Sequence, residues 1–206
     1  MPPRIQAWFP TLIYSAPLQS DGARPFNAEL VRECRKIRDF DSAGRRWSER
    51  NYAGGYTSYG SLDRLHRFSS SFDGLRELID VHVRAYARAL NWDLRGRGRL
   101  AMTDCWLNIM RRGGTHSFHL HPQSVVSGTY YVAVPRGSAA LKFEDPRLAS
   151  MMAAPPRRSG VRKQLRAHVE YPARPGHVVL FESWLRHEVP LARVSGERVS
   201  VSFNYA

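Results

Sequence analysis

Cysteine, lysine and long apolar runs are all scarce in this chain of 206 residues. The two cysteines, Cys34 and Cys105, lie far apart and in no metal-ligand spacing, so the sequence offers neither a disulfide framework nor a zinc–thiolate site. No apolar run approaches the roughly 20 residues that a membrane-spanning helix needs. The first residues lack the basic start, apolar stretch and cleavage site of a secretory signal. These absences predict a protein of the reducing cytoplasm with no membrane partner.

The formal net charge is +13, and nearly all of the positive charge comes from arginine, because lysine occurs only at Lys36, Lys142 and Lys163. Such a charge is compatible with a nucleic-acid or other polyanionic partner. The arginines are spread along the chain rather than gathered into one stripe, and charge alone supports only non-specific attraction. A basic jelly-roll module that binds nucleic acid is therefore an alternative that the sequence does not favour.

No linker rich in proline, glycine or serine divides the chain, so we expect a single domain over residues 1–206. Helical support is expected mostly over residues 26–92, with one helix capped by Asn27, a loop at 45–62 and a second helix at 72–90. Short strands separated by turn signals follow, mostly over residues 102–206. This order predicts a mainly β fold with flanking helices, namely a double-stranded β-helix, or cupin-like jelly roll.

Alternating or continuous apolar residues between turn signals mark the expected strands. A first strand-like stretch spans residues 5–14 and is broken by a turn at Phe9-Pro10. In the second half the expected strands are residues 103–111, 125–135, 139–143, 165–171, 177–182, 185–190 and 197–205.

Histidine is concentrated in one short segment, where His116, His119 and His121 fall within six residues. Because side chains alternate along a strand, His119 and His121 are expected to project to one face, close enough to bind the same metal ion. A pair of this kind is a weak signal on its own. A third ligand has to come from a distant segment, and His187 is the candidate.

The last expected strand has one polar face, formed by Arg198, Ser200, Ser202 and Asn204. With a turn near residues 190–195, His187 and Arg198 are expected to lie opposite each other on neighbouring antiparallel strands. An arginine on an interior face needs a partner, so Arg198 is expected to hold an anion. Asn204, if buried, must be hydrogen-bonded, and that need accounts for it without a functional role.

The order of these motifs resembles the 2-oxoglutarate/Fe(II)-dependent oxygenases: an HxH pair, then Pro175-Gly176 before an apolar strand, then a distal histidine followed eleven residues later by Arg-x-Ser. Further segments are similar to an uncharacterised bacterial branch of that superfamily. They are Trp106-Leu107-Asn108, Ser127-Gly128-Thr129-Tyr130-Tyr131, Phe143-Glu144-Asp145-Pro146 and residues 181–189. The resemblance spans nearly the whole chain.

The resemblance implies a dioxygenase that hydroxylates an unidentified substrate with dioxygen, using Fe(II) and 2-oxoglutarate as cofactors. His119 would be the first iron ligand and His187 the distal one. The 2-oxoglutarate pocket would be formed by four residues, of which the first two bind the C5 carboxylate: Arg198, Ser200, Tyr131 and Ser127. A bidentate arginine is well suited to a carboxylate.

The sequence departs from the family pattern at His121, where the family usually has an aspartate or glutamate that completes the iron site. The favoured interpretation is an all-histidine triad of His119, His121 and His187. In a second interpretation Glu144 or Asp145 supplies a carboxylate from another strand, and in a third His116 is the ligand and His121 lies behind it. A cupin-like three-histidine dioxygenase that uses no 2-oxoglutarate is the alternative function.

Overall fold

The computed structural model describes residues 3–19, 24–95 and 99–206. Within these ranges the α-helices are α1 (Arg24–Phe40), α2 (Ser42–Asn51) and α3 (Ser70–Ala89). The strands are β1 (Ile13–Pro17), β2 (Gly55–Thr57), β3 (Met102–Met110), β4 (His116–His119), β5 (Val126–Ala133), β6 (Leu141–Glu144), β7 (His168–Tyr171), β8 (His177–Glu182), β9 (His187–Val189) and β10 (Arg198–Tyr205). None of the described helices is both long enough and apolar enough to cross a membrane.

The strands form two sheets in which the paired neighbours run antiparallel. The larger sheet has the order β1-β8-β5-β10-β3-β2, and the smaller sheet has the order β4-β9-β6-β7. From β3 onward the chain passes to the other sheet at every connection except the one between β6 and β7. This confirms the predicted fold, a mainly β double-stranded β-helix with flanking helices.

The helices cover the outer face of the larger sheet. The buried side of α3 carries apolar residues three or four positions apart, which is the spacing of one helix face: Phe72, Leu75, Ile79, Val83 and Tyr86. They pack in one cluster with the outer face of β10, formed by Val199, Val201, Phe203 and Tyr205. Burial of each large side chain stabilises the fold by roughly 1.5–3 kcal/mol. The apolar face of β10 therefore points away from the smaller sheet, and its polar face points toward it.

A second apolar cluster fills part of the space between the sheets. It includes Tyr131, Leu141, Phe143, Val179, Phe181 and Leu185. The rest of this space is a cavity that contains the polar face of β10. The space between the two sheets is thus filled by apolar side chains in one part. In the other part it is an open cavity lined by polar side chains, where a ligand could bind.

The segment predicted as a loop at residues 45–62 contains most of helix α2 and all of strand β2, so that prediction was wrong. Asp41 caps α2, because one carboxylate oxygen accepts a hydrogen bond from the Gly44 backbone N–H at 2.8 Å. The other oxygen accepts one from the Tyr56 hydroxyl at 2.8 Å. Most side chains of α2 face solvent, so the segment has no apolar periodicity that could reveal a helix.

Three predicted boundaries also need correction. Asn27 does not cap α1, which begins at Arg24; its side-chain oxygen accepts a hydrogen bond from the Tyr130 hydroxyl at 2.5 Å. The first strand is Ile13–Pro17 rather than residues 5–14, and Phe9 has a positive φ of 60° that is incompatible with a strand. The strand predicted at residues 165–171 begins at His168, after a short 3₁₀ turn.

The predicted pairing of His187 with Arg198 was wrong. β9 pairs with β4 and β6 in the smaller sheet, whereas β10 pairs with β3 and β5 in the larger one. The two residues lie on opposite walls, and their side chains line the same cavity. They come together because the sheets face each other, not because the strands are neighbours.

Candidate metal centre and anion pocket

Three histidines converge at one end of the cavity. His119 is the last residue of β4 and lies directly opposite His187, the first residue of β9. His121 follows two residues after His119, beyond the end of the strand rather than on it. One ring nitrogen from each lies within 4.8 Å of the others. With metal–nitrogen distances of about 2.1 Å, small side-chain adjustments suffice for all three to bind one ion.

Backbone carbonyls fix the orientation of two of these rings. Nδ1 of His119 lies 2.7 Å from the carbonyl oxygen of Ser117, and Nδ1 of His187 lies 2.9 Å from that of Leu185. A carbonyl oxygen only accepts hydrogen bonds, so we assign the ring proton to Nδ1 in both residues. This leaves the lone pair of Nε2 free to bind a metal.

Side chains hold the third ring. Nδ1 of His121 lies 2.7 Å from the side-chain oxygen of Asn204 and 2.8 Å from the hydroxyl of Ser127. Ser127 in turn hydrogen-bonds to Asn204 at 2.8 Å and to Ser183 at 2.7 Å. The same tautomer therefore follows for His121, although different groups impose it.

The three histidines of the triad are held as uncharged imidazoles, which is the form that binds metals. Burial, together with the neighbouring imidazoles, lowers the pKa of His187 to about 2. Burial likewise lowers the pKa of His121 to about 4, with an additional effect from His119, and it lowers the pKa of His119. The imidazoles are consequently neutral at neutral pH, as metal ligation requires. Neutral imidazole is a suitable ligand for iron.

Aromatic rings enclose the triad. The Phe181 ring lies 4.5 Å from the His187 ring between centroids, and the Phe143 ring lies 6.0 Å from it. On the other side the Trp106 ring lies 5.8 Å from the His121 ring. These contacts restrict the rotation of the ligands and limit the access of water to them.

Arg198 occupies the opposite end of the same cavity with only 5% of its surface exposed. Its guanidinium lies 5.0 Å from the centroid of the Tyr131 ring, and one of its nitrogens lies 3.5 Å from the Ser200 hydroxyl. Among the described residues, Nε of Arg198 and the hydroxyl of Tyr131 have no hydrogen-bond partner. Burial raises the pKa of Tyr131, so its hydroxyl keeps its proton as a donor. A buried cation beside spare donors is a site for an anion, and a carboxylate fits it.

One cavity joins the two ends and opens to solvent. Its wall includes the triad, Arg198 and Ser200, together with His116, Tyr52, Trp106 and Asn108. A bound metal and a small dicarboxylate that reaches from it toward Arg198 would therefore occupy one continuous space. The donor sets at the two ends fit Fe(II) and 2-oxoglutarate respectively.

The structure distinguishes the alternative ligands named from the sequence. Glu144 accepts a hydrogen bond from Arg186 at 2.7 Å and Asp145 accepts one from Arg147 at 2.8 Å, and neither belongs to the group that could hold a metal. His116 lines the cavity and stacks on His119 at 4.0 Å, outside that group. Burial, together with the neighbouring imidazoles of His119 and His121 and the guanidinium of Arg198, lowers the pKa of His116 to about 3.

Ser127 does not share a location with the other residues expected to form the 2-oxoglutarate pocket. It lies at the metal end beside His121, whereas Tyr131 lies at the far end beneath Arg198. Both belong to one face of β5, but they stand four positions apart along an extended strand, at the two ends of the cavity. The alternation of side chains along a strand predicts that Ser127 and Tyr131 share a face. It does not predict that the distance between them places them at different ends of the cavity.

Sequence reasoning missed Asn204 and Asp104 as part of the site. Asn204 lies opposite Asp104 on β3 and opposite Ser127 on β5. The alternation of side chains along β10 predicts that Asn204 shares a face with Arg198. This is the sequence feature that could have placed Asn204 in the site. The contribution of Asp104 depends on the register of two strands almost 100 residues apart, which the sequence does not reveal.

A family model described as "Putative 2OG-Fe(II) oxygenase" matches residues 104–204, from β3 into the last residues of β10. The fold is similar to that of a prolyl-4-hydroxylase from Pseudomonas putida, with a TM-score of 0.58, 17% identity and coverage of 95% of this chain and 92% of that one. No curated protein sequence matches the chain.

Two further solved structures share the fold. The alpha ketoglutarate dependent epimerase SnoN from nogalamycin biosynthesis has a TM-score of 0.60 and 12% identity, over 95% of this chain and 76% of that one. HygX from Streptomyces hygroscopicus, solved with nickel and 2-oxoglutarate bound, has a TM-score of 0.57 and 12% identity, over 95% and 83%. The family match covers the strands that carry both ends of the cavity. Over residues 104–204 the chain is similar in sequence to the 2OG-Fe(II) oxygenase family, whose cofactors are Fe(II) and 2-oxoglutarate, and over 95% of its length it shares the fold of these solved structures.

Proposed function

We propose that this protein is a 2-oxoglutarate- and Fe(II)-dependent dioxygenase that hydroxylates an unidentified substrate. The observation that carries the proposal is one cavity with a triad of neutral imidazoles at one end and a buried, incompletely paired arginine at the other. Iron alone would explain the triad, but only an anionic ligand explains Arg198. A dicarboxylate that binds the iron at one end and Arg198 at the other explains the residues at both ends of the cavity.

Each residue has a defined task in this proposal. His119, His121 and His187 hold Fe(II) through Nε2, because Nδ1 of each is already hydrogen-bonded. The bound iron and cosubstrate supply the activation of dioxygen. The protein's own contribution is to orient these groups and to limit the access of water to the reacting end through Phe143 and Phe181.

The far carboxylate of 2-oxoglutarate is held by a second group of residues. Arg198 offers two parallel N–H donors, while Ser200 and Tyr131 add hydroxyl donors. Ser127 contributes indirectly, since it hydrogen-bonds to His121 rather than to the carboxylate. This arrangement holds the cosubstrate at a fixed distance from the metal.

Binding of 2-oxoglutarate under anaerobic conditions tests the proposal. With Fe(II) present, calorimetry is expected to detect 2-oxoglutarate binding to the intact protein, and Arg198→Ala is expected to weaken it at least about 30-fold, because a buried charge loses its partner. Arg95→Ala is the matched control, since Arg95 lies on an exposed turn and, among the residues that the structure describes, pairs only with Asp93. No binding in the intact protein, or equal binding in Arg198→Ala, would contradict the proposal.

Hydroxylation is the reaction type that we propose, although this fold also supports an epimerase. Formation of succinate from 2-oxoglutarate, with consumption of dioxygen, would identify the cosubstrate reaction before a substrate is known. Incorporation of one oxygen atom into a candidate substrate would then distinguish hydroxylation from epimerisation. A product isomeric with its substrate would exclude the hydroxylase assignment.

A three-histidine dioxygenase without 2-oxoglutarate is the second candidate. The observation that favours it is the ligand set itself, which contains no carboxylate. In that case Arg198 would hold a carboxylate of the substrate. The anaerobic titration above separates the two, since 2-oxoglutarate would not bind with a metal-dependent affinity.

A polyanion-binding module is less well supported. Arg35, Arg38 and Arg111 converge on one carboxylate, that of Glu197, and other arginines form separate ion pairs. Nucleic-acid binding that is sensitive to salt and survives replacement of His119 would favour it.

We also propose that residues 1–206 act as one domain in the cytoplasm. Cys34 and Cys105 are buried free thiols, which is compatible with a reducing compartment. Limited proteolysis that releases a stable half of the chain would contradict the single domain, and fractionation of cells would test the location.

A further inference from the structure

A chain of hydrogen bonds leads from a carboxylate to one of the three histidines. The side-chain N–H₂ group of Asn204 lies 3.3 Å from a carboxylate oxygen of Asp104. The other end of the same amide, its oxygen, lies 2.7 Å from Nδ1 of His121. Asn204 is 7% exposed and stands directly opposite Asp104 in the sheet, so the amide has little freedom to leave this position.

Asp104 determines which way round the amide lies. A carboxylate accepts hydrogen bonds and cannot donate them, so the N–H₂ group of Asn204 must face Asp104. The oxygen is then left to face His121. If the amide were reversed, its oxygen would face the carboxylate and two acceptors would repel each other.

The orientation of the amide in turn selects the tautomer of His121. An amide oxygen requires a proton on Nδ1, which leaves Nε2 with a lone pair for the metal. With the amide reversed, N–H₂ would require Nδ1 to accept, and the proton on Nε2 would block ligation. The carboxylate of Asp104 therefore acts at a distance on the ability of His121 to bind a metal.

His121 is the ligand that needs this control most. His119 and His187 have backbone carbonyls as partners, and these cannot be reversed. His121 also stands where the superfamily usually has a carboxylate, so the triad itself carries no negative charge. Asp104 supplies a negative charge one amide away from the site.

We propose that Asp104 is a positioning residue for the metal ligand His121 and that it acts through the side-chain amide of Asn204. The proposal rests on the proposed metal site and adds a group outside the cavity wall to it. Hydrogen-bonded partners behind metal ligands commonly contribute a factor of about 10 to 100 in metal affinity. Asp104 therefore matters for metal loading without touching the metal or the substrate.

The experiment compares metal binding in two variants. Titration of the metal-free protein with Co(II), against a competing chelator, is expected to show affinity about 10- to 100-fold lower in Asp104→Asn, because the amide of Asn204 is no longer oriented. The double variant Asp104→Asn with Asn204→Asp is expected to regain most of this loss. In the double variant the carboxylate at position 204 accepts a hydrogen bond from Nδ1 of His121 through either of its oxygens. The amide at position 104 can donate a hydrogen bond to the same carboxylate.

A second readout does not depend on metal at all. Nitrogen NMR of the histidine rings is expected to find only the Nδ1–H tautomer of His121 in the intact protein and a mixture of tautomers in Asp104→Asn. His119 and His187 keep their tautomers in both. Asp93→Asn, at an exposed position outside the helices and strands, is the control for loss of an acidic residue elsewhere.

These experiments distinguish a failure of the proposed metal site from a failure of the proposed role of Asp104. If the intact protein binds no Co(II), the metal site itself is refuted. If it binds Co(II) and Asp104→Asn binds it equally well with an unchanged His121 tautomer, only the role of Asp104 is refuted. If the double variant binds no better than a folded Asp104→Asn protein, the loss is structural, and the proposed route through the amide is wrong.

Discussion

The two ends of the cavity differ in how completely the protein satisfies its own polar groups. At the metal end, Nδ1 of each of the three histidines already has an acceptor within 2.9 Å. At the arginine end, Nε of Arg198 and the hydroxyl of Tyr131 have none among the described residues. The first end is organised before any ligand arrives, while the second is completed by its ligand. Metal affinity should therefore depend on contacts within the protein, and cosubstrate affinity on donors that are free in its absence.

The largest effect is expected from the metal end, in His187→Ala. Loss of a direct ligand should reduce Fe(II) affinity by more than about 100-fold, beyond the range for partners that lie behind a ligand. Equilibrium binding of Fe(II) under anaerobic conditions measures this. His168→Ala, an exposed histidine on β7, is the control and should bind iron normally. Retention of most of the affinity in a folded His187→Ala protein would remove His187 from the site.

A smaller effect is expected at the arginine end, in Tyr131→Phe. The hydroxyl would donate to a carboxylate, so its removal should weaken 2-oxoglutarate binding about tenfold. The same change removes a buried hydroxyl that lacks a partner, so the thermal stability of the ligand-free protein should not fall. Calorimetry and thermal denaturation measure the two quantities. If stability fell while cosubstrate affinity stayed the same, Tyr131 would be a packing residue and the contrast between the ends would fail.

The smallest effect is a pH dependence that belongs to the metal end. The histidines titrate near 6.5 when unfolded, whereas burial holds the pKa of His121 near 4 and that of His187 near 2 in the folded protein. Between these values the unfolded chain binds more protons, so stability rises with pH and falls on acidification. The melting temperature of the metal-free protein should therefore fall from about pH 7 to about pH 4.

The control for this pH dependence is His187→Ala, which removes the most strongly perturbed of the three groups. Its melting temperature should fall less on acidification than that of the intact protein. An equal fall in both proteins would mean that the acid sensitivity arises elsewhere in the chain.

Much of the fold could be predicted because the residues that build it repeat regularly. The apolar positions of α3 and the alternation along β10 determine which face of each element is buried, independently of its neighbours. Helix α2 was missed for the opposite reason, since it is polar, and its cap at Asp41 depends on contacts with Tyr56. A short exposed helix leaves little trace in the order of apolar residues.

The site was predictable in its chemistry and less so in its geometry. The spacing predicts His119 and His121 as a pair, and the distant segment with the family resemblance adds His187; the structure brings the three together. The relation of His187 to Arg198 was not predictable, because it depends on which sheet each strand joins. The sequence explains Asn204 as a hydrogen-bonded structural residue and does not identify Asp104 as its partner.

The sequence by itself determined the residue types of the site, the polar face of β10 and the order of helices before strands, because local periodicity and side-chain chemistry are encoded position by position. Only the tertiary structure decided that β9 and β10 face each other across a cavity, and that Asp104, Asn204 and His121 form one hydrogen-bonded chain. Strand pairing joins residues far apart in sequence, and its register is set by the packing of all the strands together. The tautomer of His121 therefore depends on the register that places Asp104 beside Asn204.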